Sequence, residues 1–341
     1  MSSTSALTDR PAYPSWGRRA QRTRLLGLLR AGCRAGALAC ALVTAVSGAA
    51  LAQPGPRVFT CEPEWAALVL ELMPKAQVVA ATTALQDPHH IEARPALIAQ
   101  MRQAEMAVCT GAGVEDGWLP ALQQRAANPK VQDGAPGMFY AAQQVSLIDP
   151  RSATLNPFAG DVHPGGNPHL HADPDRLAAV ARALANRLAQ VWPSQATEIA
   201  QRQAAFDQRW SARIAQWREK AKPLQGQTVA AQHSTFAYWW RWLGMRQSMD
   251  LEPRPGLPPT PAHLQSLITG WKAQPPLAAV VAAHQDPRAG RWLVENAAPR
   301  RPLLVMPATV RDPHQPQALE AWFDEMMDQL LRAAASLTSK G

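Results

Sequence analysis

Short apolar runs alternate with helical patterns twice along this chain, and a long helix-prone stretch separates the two series. The first series reads as strand 57–61, helix 64–72, strand 77–80, loop 82–93, helix 95–104 and strand 106–110. The second reads as strand 227–232, helix 235–243, a Pro-rich loop 252–259, helix 261–272, strand 278–283, helix 288–297, strand 303–306 and helix 316–336. Strands alternating with helices in this way build mostly parallel sheets with helices packed on them. The expected class is therefore α/β, in two lobes. Thr260 before Pro261 is a favourable helix start, a capping hydroxyl followed by proline at the first helical position.

The intervening stretch runs from Asp175 to about Lys222 and is broken at Pro193. The part after Pro193 has about 30 residues with few breakers, which as a helix spans about 45 Å. Its Phe206, Trp210, Ile214 and Trp217 recur at spacings of 4, 4 and 3, one face of a helix. Such a helix exceeds the usual globular length, and a connection between two lobes accounts for it. The expected organisation is an N-terminal lobe at 53–192, a linking helix at 193–222 and a C-terminal lobe at 223–341, after a leader at 1–52.

The formal charge of +8 suggests a nucleic-acid binder until the charge is located. The first 52 residues hold seven arginines and one acid, Asp9, leaving 27 basic and 25 acidic groups on the rest. That remainder is nearly neutral, so nothing electrostatic points to DNA or RNA. Arg18 to Arg34 is basic, Ala35 to Ala50 is apolar and rich in small residues, and Ala50-Leu51-Ala52 fits a small-x-small cleavage site. An export signal cleaved after Ala52 is expected, and with it a periplasmic location. Only Cys61 and Cys109 survive that cleavage. In an oxidising compartment they are either one disulfide or two buried thiols.

Nine histidines, all beyond residue 52, carry the chemistry. Neutral imidazole is the commonest transition-metal ligand, and open α/β sheets bind ligands beyond the carboxyl ends of their strands. Several of these histidines follow strand-like runs or lie beside proline. Three segments are most informative: Asp87-Pro88-His89-His90-Ile91-Glu92, Gly160-Asp161-Val162-His163-Pro164 leading into Asn167-Pro168-His169-Leu170-His171-Ala172-Asp173-Pro174, and Gln232-His233-Ser234-Thr235-Phe236-Ala237-Tyr238.

With Glu252-Pro253-Arg254-Pro255-Gly256 and Gln285-Asp286-Pro287-Arg288, these segments make the chain resemble the periplasmic metal-binding proteins of zinc and manganese ABC importers. The resemblance covers essentially everything beyond the leader. It implies two α/β lobes joined by one rigid long helix, with the metal between them. Carried over by position, the metal ligands fall on His89, His169 and His233. A histidine at the third place suits zinc, whereas carboxylate suits manganese, so Zn²⁺ is the expected ligand. Binding weakens as pH falls below about 6.5, because protons compete for the imidazole nitrogens. Many relatives place an aspartate where Ala308 stands here. That leaves Asp312, His284, His90 or water as the fourth donor.

The other histidines have plainer readings. His163 either shapes the loop beside His169 or touches the metal. His90 and His171 are orienting or surface groups, and His263 and His314 are expected on the surface. Glu252 and Asp286 either orient a histidine or cap a turn, and Trp239, Trp240 and Trp242 pack the core. The implied partner is an inner-membrane ABC permease, a periplasmic metallochaperone is a further candidate, and the protein is expected to be a monomer. No Walker A motif, nucleophile or oxyanion-hole signature is present, so no enzymatic activity is expected. The competing readings are a manganese or iron carrier of the same fold, a zinc hydrolase with Glu92 or Glu252 as base, and a carrier of organic solutes.

Overall fold

The computed structural model describes residues 55–150 and 161–338. The expected leader and its cleavage site lie outside them. No helix among the described residues is long and apolar enough to cross a membrane.

The N-terminal sheet contains β1 (Arg57–Thr60), β2 (Gln77–Ala80), β3 (Met106–Cys109) and β4 (Met138–Tyr140), in the order β2-β1-β3-β4 and all parallel. The C-terminal sheet contains β5 (Thr228–Ala231), β6 (Arg246–Asp250), β7 (Ala279–Ala282) and β8 (Leu303–Met306). Its order, β6-β5-β7-β8, repeats the same parallel topology. The central strands are continuously apolar because each is buried on both faces: Met-Ala-Val-Cys, Thr-Val-Ala-Ala and Ala-Val-Val-Ala are fully covered. Sheets with helices on both faces select such continuous apolar runs. The expected α/β class and its two sheets are therefore present. β4 and β6 were not anticipated. β4, Met-Phe-Tyr, is apolar but only three residues long, and β6 reads Arg-Gln-Ser-Met-Asp at a half-exposed edge, with no apolar signature.

The helices are α1 (Pro63–Leu72), α2 (Pro95–Gln103), α3 (Leu119–Ala126), α4 (Pro174–Val191), α5 (Ala196–Lys220), α6 (Ala237–Trp242), α7 (Pro261–Ala273), α8 (Arg288–Asn296) and α9 (Ala318–Thr338). Several begin at proline, where the missing N–H costs nothing. Asp173 caps α4, with Oδ1 accepting from the backbone N–H of Asp175 at 2.9 Å and of Arg176 at 3.0 Å. Thr260 caps α7 by accepting from His263 N–H at 3.3 Å. The helix-prone stretch divides at Pro193 into α4 and the 25-residue α5.

α5 unites the two halves. Its buried Phe206, Trp210 and Trp217 join Val58 and Val108 of the first sheet, Val229 and Val280 of the second, and Phe323 of α9 in one core. Smaller apolar clusters close the outer faces, around Phe59, Met101 and Leu122 on one side and around Leu251, Trp271 and Leu293 on the other. Arg209 donates to Glu71 of α1 at 2.6 Å and to Glu320 of α9 at 2.7 Å, so one guanidinium of the linking helix grips both lobes. Trp239 and Trp240 are buried, and Trp242 stacks on Trp239 with ring centroids 5.3 Å apart.

Cys61 and Cys109 form a disulfide, with Cα atoms 4.8 Å apart. They follow paired positions of adjacent parallel strands, since Thr60 sits opposite Val108. The bond pins the carboxyl ends of β1 and β3 where they face the cleft. Glu115 lies near both sulfurs, but oxidised cysteines offer no thiolate to a metal.

Candidate metal centre

Both sheets turn the carboxyl ends of their strands toward a shared cleft of about 690 Å³. His89, His169 and His233 all line it. Each is buried, and one potential ligand atom from each lies within 4.8 Å of the other two. Their ring centroids are 5.4 to 5.9 Å apart.

Local sequence orients each ring. In Asp87-Pro88-His89, Asp87 Oδ1 accepts from the His89 backbone N–H at 3.0 Å and from ring Nδ1 at 2.8 Å. In Asn167-Pro168-His169, Asn167 Oδ1 accepts from the same two groups at 2.9 Å each. These are Asx turns around a proline whose φ is already set, and both leave Nε2 free to point inward. His233 follows β5 and is oriented across strands instead. Its Nδ1 lies 3.0 Å from Glu252 Oε2, and its backbone N–H donates to Asp250 Oδ1 at 3.2 Å. Its φ of 63° is in the left-handed region, a conformation that costs about 1–3 kcal/mol and collects at functional sites. Its Nε2 is buried without a hydrogen-bond partner.

The electrostatics keep lone pairs available on His169 and His163 but not on His233. Burial pushes the His169 pKa well below the ordinary imidazole value, and the neighbouring imidazoles add to the effect. Burial and the charges of His89 and His233 bring His163 down to about 4. Burial opposes the Asp87 charge, but hydrogen bonds from His89 hold that carboxyl below the usual range. Burial also lowers the His233 pKa, yet the hydrogen bond and charge of Glu252 outweigh it and the net shift is upward.

The remaining candidates separate. His163 adjoins the triad, with Nε2 3.3 Å from His89 Nε2. His284 is half-buried and lines the cleft, while His90 is exposed with its ring 6.3 Å from that of His89. Asp312, expected as a possible fourth donor, is instead a surface residue outside the cleft lining, its Oδ1 accepting from His314 N–H at 2.9 Å. The loop after β8 turns outward before reaching it. Ala308 is buried at the cleft, and its carbonyl lies 3.1 Å from His171 Nε2. His171 is also 3.3 Å from Glu64 and stacks on Trp322, so it ties the two lobes together. His263 is half-buried rather than on the surface, because its Nε2 bonds to the Asp250 carbonyl at 2.9 Å. Of the two loop acids, Glu252 meets His233, and Asp286 pairs with Arg288 at the start of α8.

Sequence reading missed Asp87 and Asn167 as orienting groups. The signal was present: both histidines stand two residues after an Asp or Asn, with proline between. Groups that hold the far nitrogen of a ligating imidazole typically contribute 10–100-fold in metal affinity. Glu252→Gln is expected to weaken metal binding by about that factor while leaving the fold intact. Chelator competition at about pH 8, above the imidazole range, measures it, and unchanged affinity would remove Glu252 from this role.

No sequence match is found among curated proteins. Solved structures match the fold: a ZnuA crystal structure (TM-score 0.67, 18% identity, covering 82% of this chain and 99% of that one), a ZnuA deletion mutant with zinc bound (0.65, 19%, 82% and 97%), and the Pseudomonas aeruginosa solute-binding protein FpvC in complex with Mn²⁺ (0.64, 18%, 83% and 99%). The family model for the periplasmic zinc-uptake complex component A, ZnuA, matches residues 58–335. That match spans both sheets, the linking helix and every histidine of the cleft, and the chain belongs to this ZnuA family of periplasmic metal-binding solute-binding proteins.

Proposed function

We propose that this protein captures Zn²⁺ in the cleft between its lobes and delivers it to an inner-membrane ABC permease. His89, His169 and His233 are the ligands in this reading. The observation that carries it is their convergence, with each Nδ1 facing a carboxylate or amide oxygen. An Nδ1 so engaged leaves Nε2 as the donor atom. All three converging donors are imidazole, which favours zinc over manganese.

The leader at 1–52 exports the chain, and the working protein comprises the lobes at 53–192 and 223–341 with the linking helix at 193–222. It acts as a monomeric carrier and not as an enzyme, and a periplasmic metallochaperone is a candidate source of the ion. Because Arg209 and the shared aromatic core tie α5 to both lobes, wide hinge opening is costly. Movement of the loops carrying His89 and His169 is the proposed release route.

The test is metal content. Protein recovered from the periplasm is stripped with chelator, offered equimolar Zn²⁺ and Mn²⁺, desalted and assayed by mass spectrometry. One zinc per chain with little manganese is expected. An absence of bound metal would end the metal-carrier reading. Manganese in place of zinc would keep the carrier and overturn the argument from three imidazoles.

A further inference from the structure

We propose that His163 is the fourth nitrogen ligand, so that the ion is held by four imidazoles. This rests on the metal-capture reading above and specifies how its coordination is completed. Ala308, buried at the cleft, has no side-chain donor. Asp312 is on the surface and His90 is exposed. His163 is the one further imidazole whose nitrogen touches a member of the triad, Nε2 to Nε2 at 3.3 Å.

The tautomers give that contact its meaning. His89 Nδ1 faces the Asp87 carboxylate at 2.8 Å, and an ionised carboxylate only accepts. His89 therefore carries its hydrogen on Nδ1 and a lone pair on Nε2. The His163 Nδ1 lies against the backbone at 112–113, only 2.8 Å from where a Cβ on Gly113 would stand. A hydrogen on Nδ1, toward that backbone, leaves a lone pair on the His163 Nε2.

Two lone pairs facing each other at this distance need a proton or a cation between them. Two nitrogens bound to one tetrahedral zinc at 2.0–2.1 Å stand about 3.3 Å apart, the separation of His163 Nε2 from His89 Nε2; the set already converged within 4.8 Å is His89, His169 and His233, so the His163 ring must draw inward to complete the tetrahedron. The loop carrying His163 is also placed for the task. Asp161 N–H donates to Pro255 O at 3.1 Å, and Gly166 N–H donates to the His163 carbonyl at 3.1 Å. The first bond ties the loop to the segment just beyond Glu252. Gly113 and Gly256 leave no space for a side chain where this loop packs, since a Cβ on Gly256 would stand 2.3 Å from Asp161 Oδ2.

Histidine-selective nitrogen NMR of the cadmium-loaded protein counts the imidazole nitrogens coupled to the metal. Zinc affinity is measured in parallel by chelator competition on wild type, His163→Gln and His169→Ala. Four coupled imidazoles in wild type and three in His163→Gln are expected. The zinc affinity of His163→Gln should fall at least tenfold, with an unchanged metal-free melting curve. Three coupled imidazoles in wild type, with His163→Gln binding zinc as wild type does, would overturn the assignment and leave the three-histidine site standing. Wild type that binds no metal, with His169→Ala indistinguishable from it, would overturn both readings together.

Discussion

Removing His89 and His169 together is expected to weaken zinc binding by about five orders of magnitude. Structural zinc sites bind with roughly 10–16 kcal/mol in apparent free energy. Shared among four ligands, that is about 2.5–4 kcal/mol each, and two ligands correspond to about 10⁴–10⁶ in the dissociation constant. The variant His89→Ala with His169→Ala should still fold, because neither ring belongs to the large apolar core around α5. Asp87 and Asn167 also keep their other partners, the backbone N–H groups two residues on. Chelator competition gives the affinity, and a metal-free melting curve checks the fold. Affinity within tenfold of wild type would show that these histidines do not hold the ion. His233 is the less informative choice, because its removal leaves the buried Glu252 carboxylate facing an empty space.

Trp210→Ala is expected to cost about 3–5 kcal/mol, the range for emptying a large aromatic site in a core. Trp210 stacks on Phe206 and meets Trp217 and Phe323 edge-on, with ring centroids 5.2 to 5.6 Å apart. Its indole N–H donates to the Pro174 carbonyl at 2.9 Å. The substitution therefore opens a cavity and leaves a buried acceptor unpaired, where α4, α5 and α9 meet. For a chain of this size the melting temperature of metal-free protein should fall by roughly 10 °C. Ile214 lies on the same helix but is only half-buried, so Ile214→Ala should cost clearly less. A loss below about 1 kcal/mol at Trp210 would mean that α5 does not carry the core shared by the lobes.

The histidines illustrate how far local sequence reaches. Asp87-Pro88-His89 and Asn167-Pro168-His169 contain their orienting groups within three residues, so ring direction and tautomer are set locally. His233 differs: its orienting carboxylate, Glu252, arrives from beyond β6, a polar edge strand with no recognisable pattern. Asp312 looked available in sequence and lies on the surface, because the loop after β8 leads away from the cleft. His263 looked exposed at the first turn of α7 and instead supports the Asp250 carbonyl.

The sequence by itself determined the α/β class, the buried central strands, the long aromatic-faced helix and the loop segments that carry the candidate histidines. Each of these depends on periodicity or on neighbours a few residues away, where backbone sterics and the hydrophobic effect act locally. Only the tertiary structure decided that one core runs through both lobes, that Cys61 bonds Cys109, and which of nine histidines converge. Those outcomes depend on which strand lies beside which and on where distant loops are carried. Parallel sheets join residues far apart in the chain through crossovers, and no local pattern records the distance between their ends.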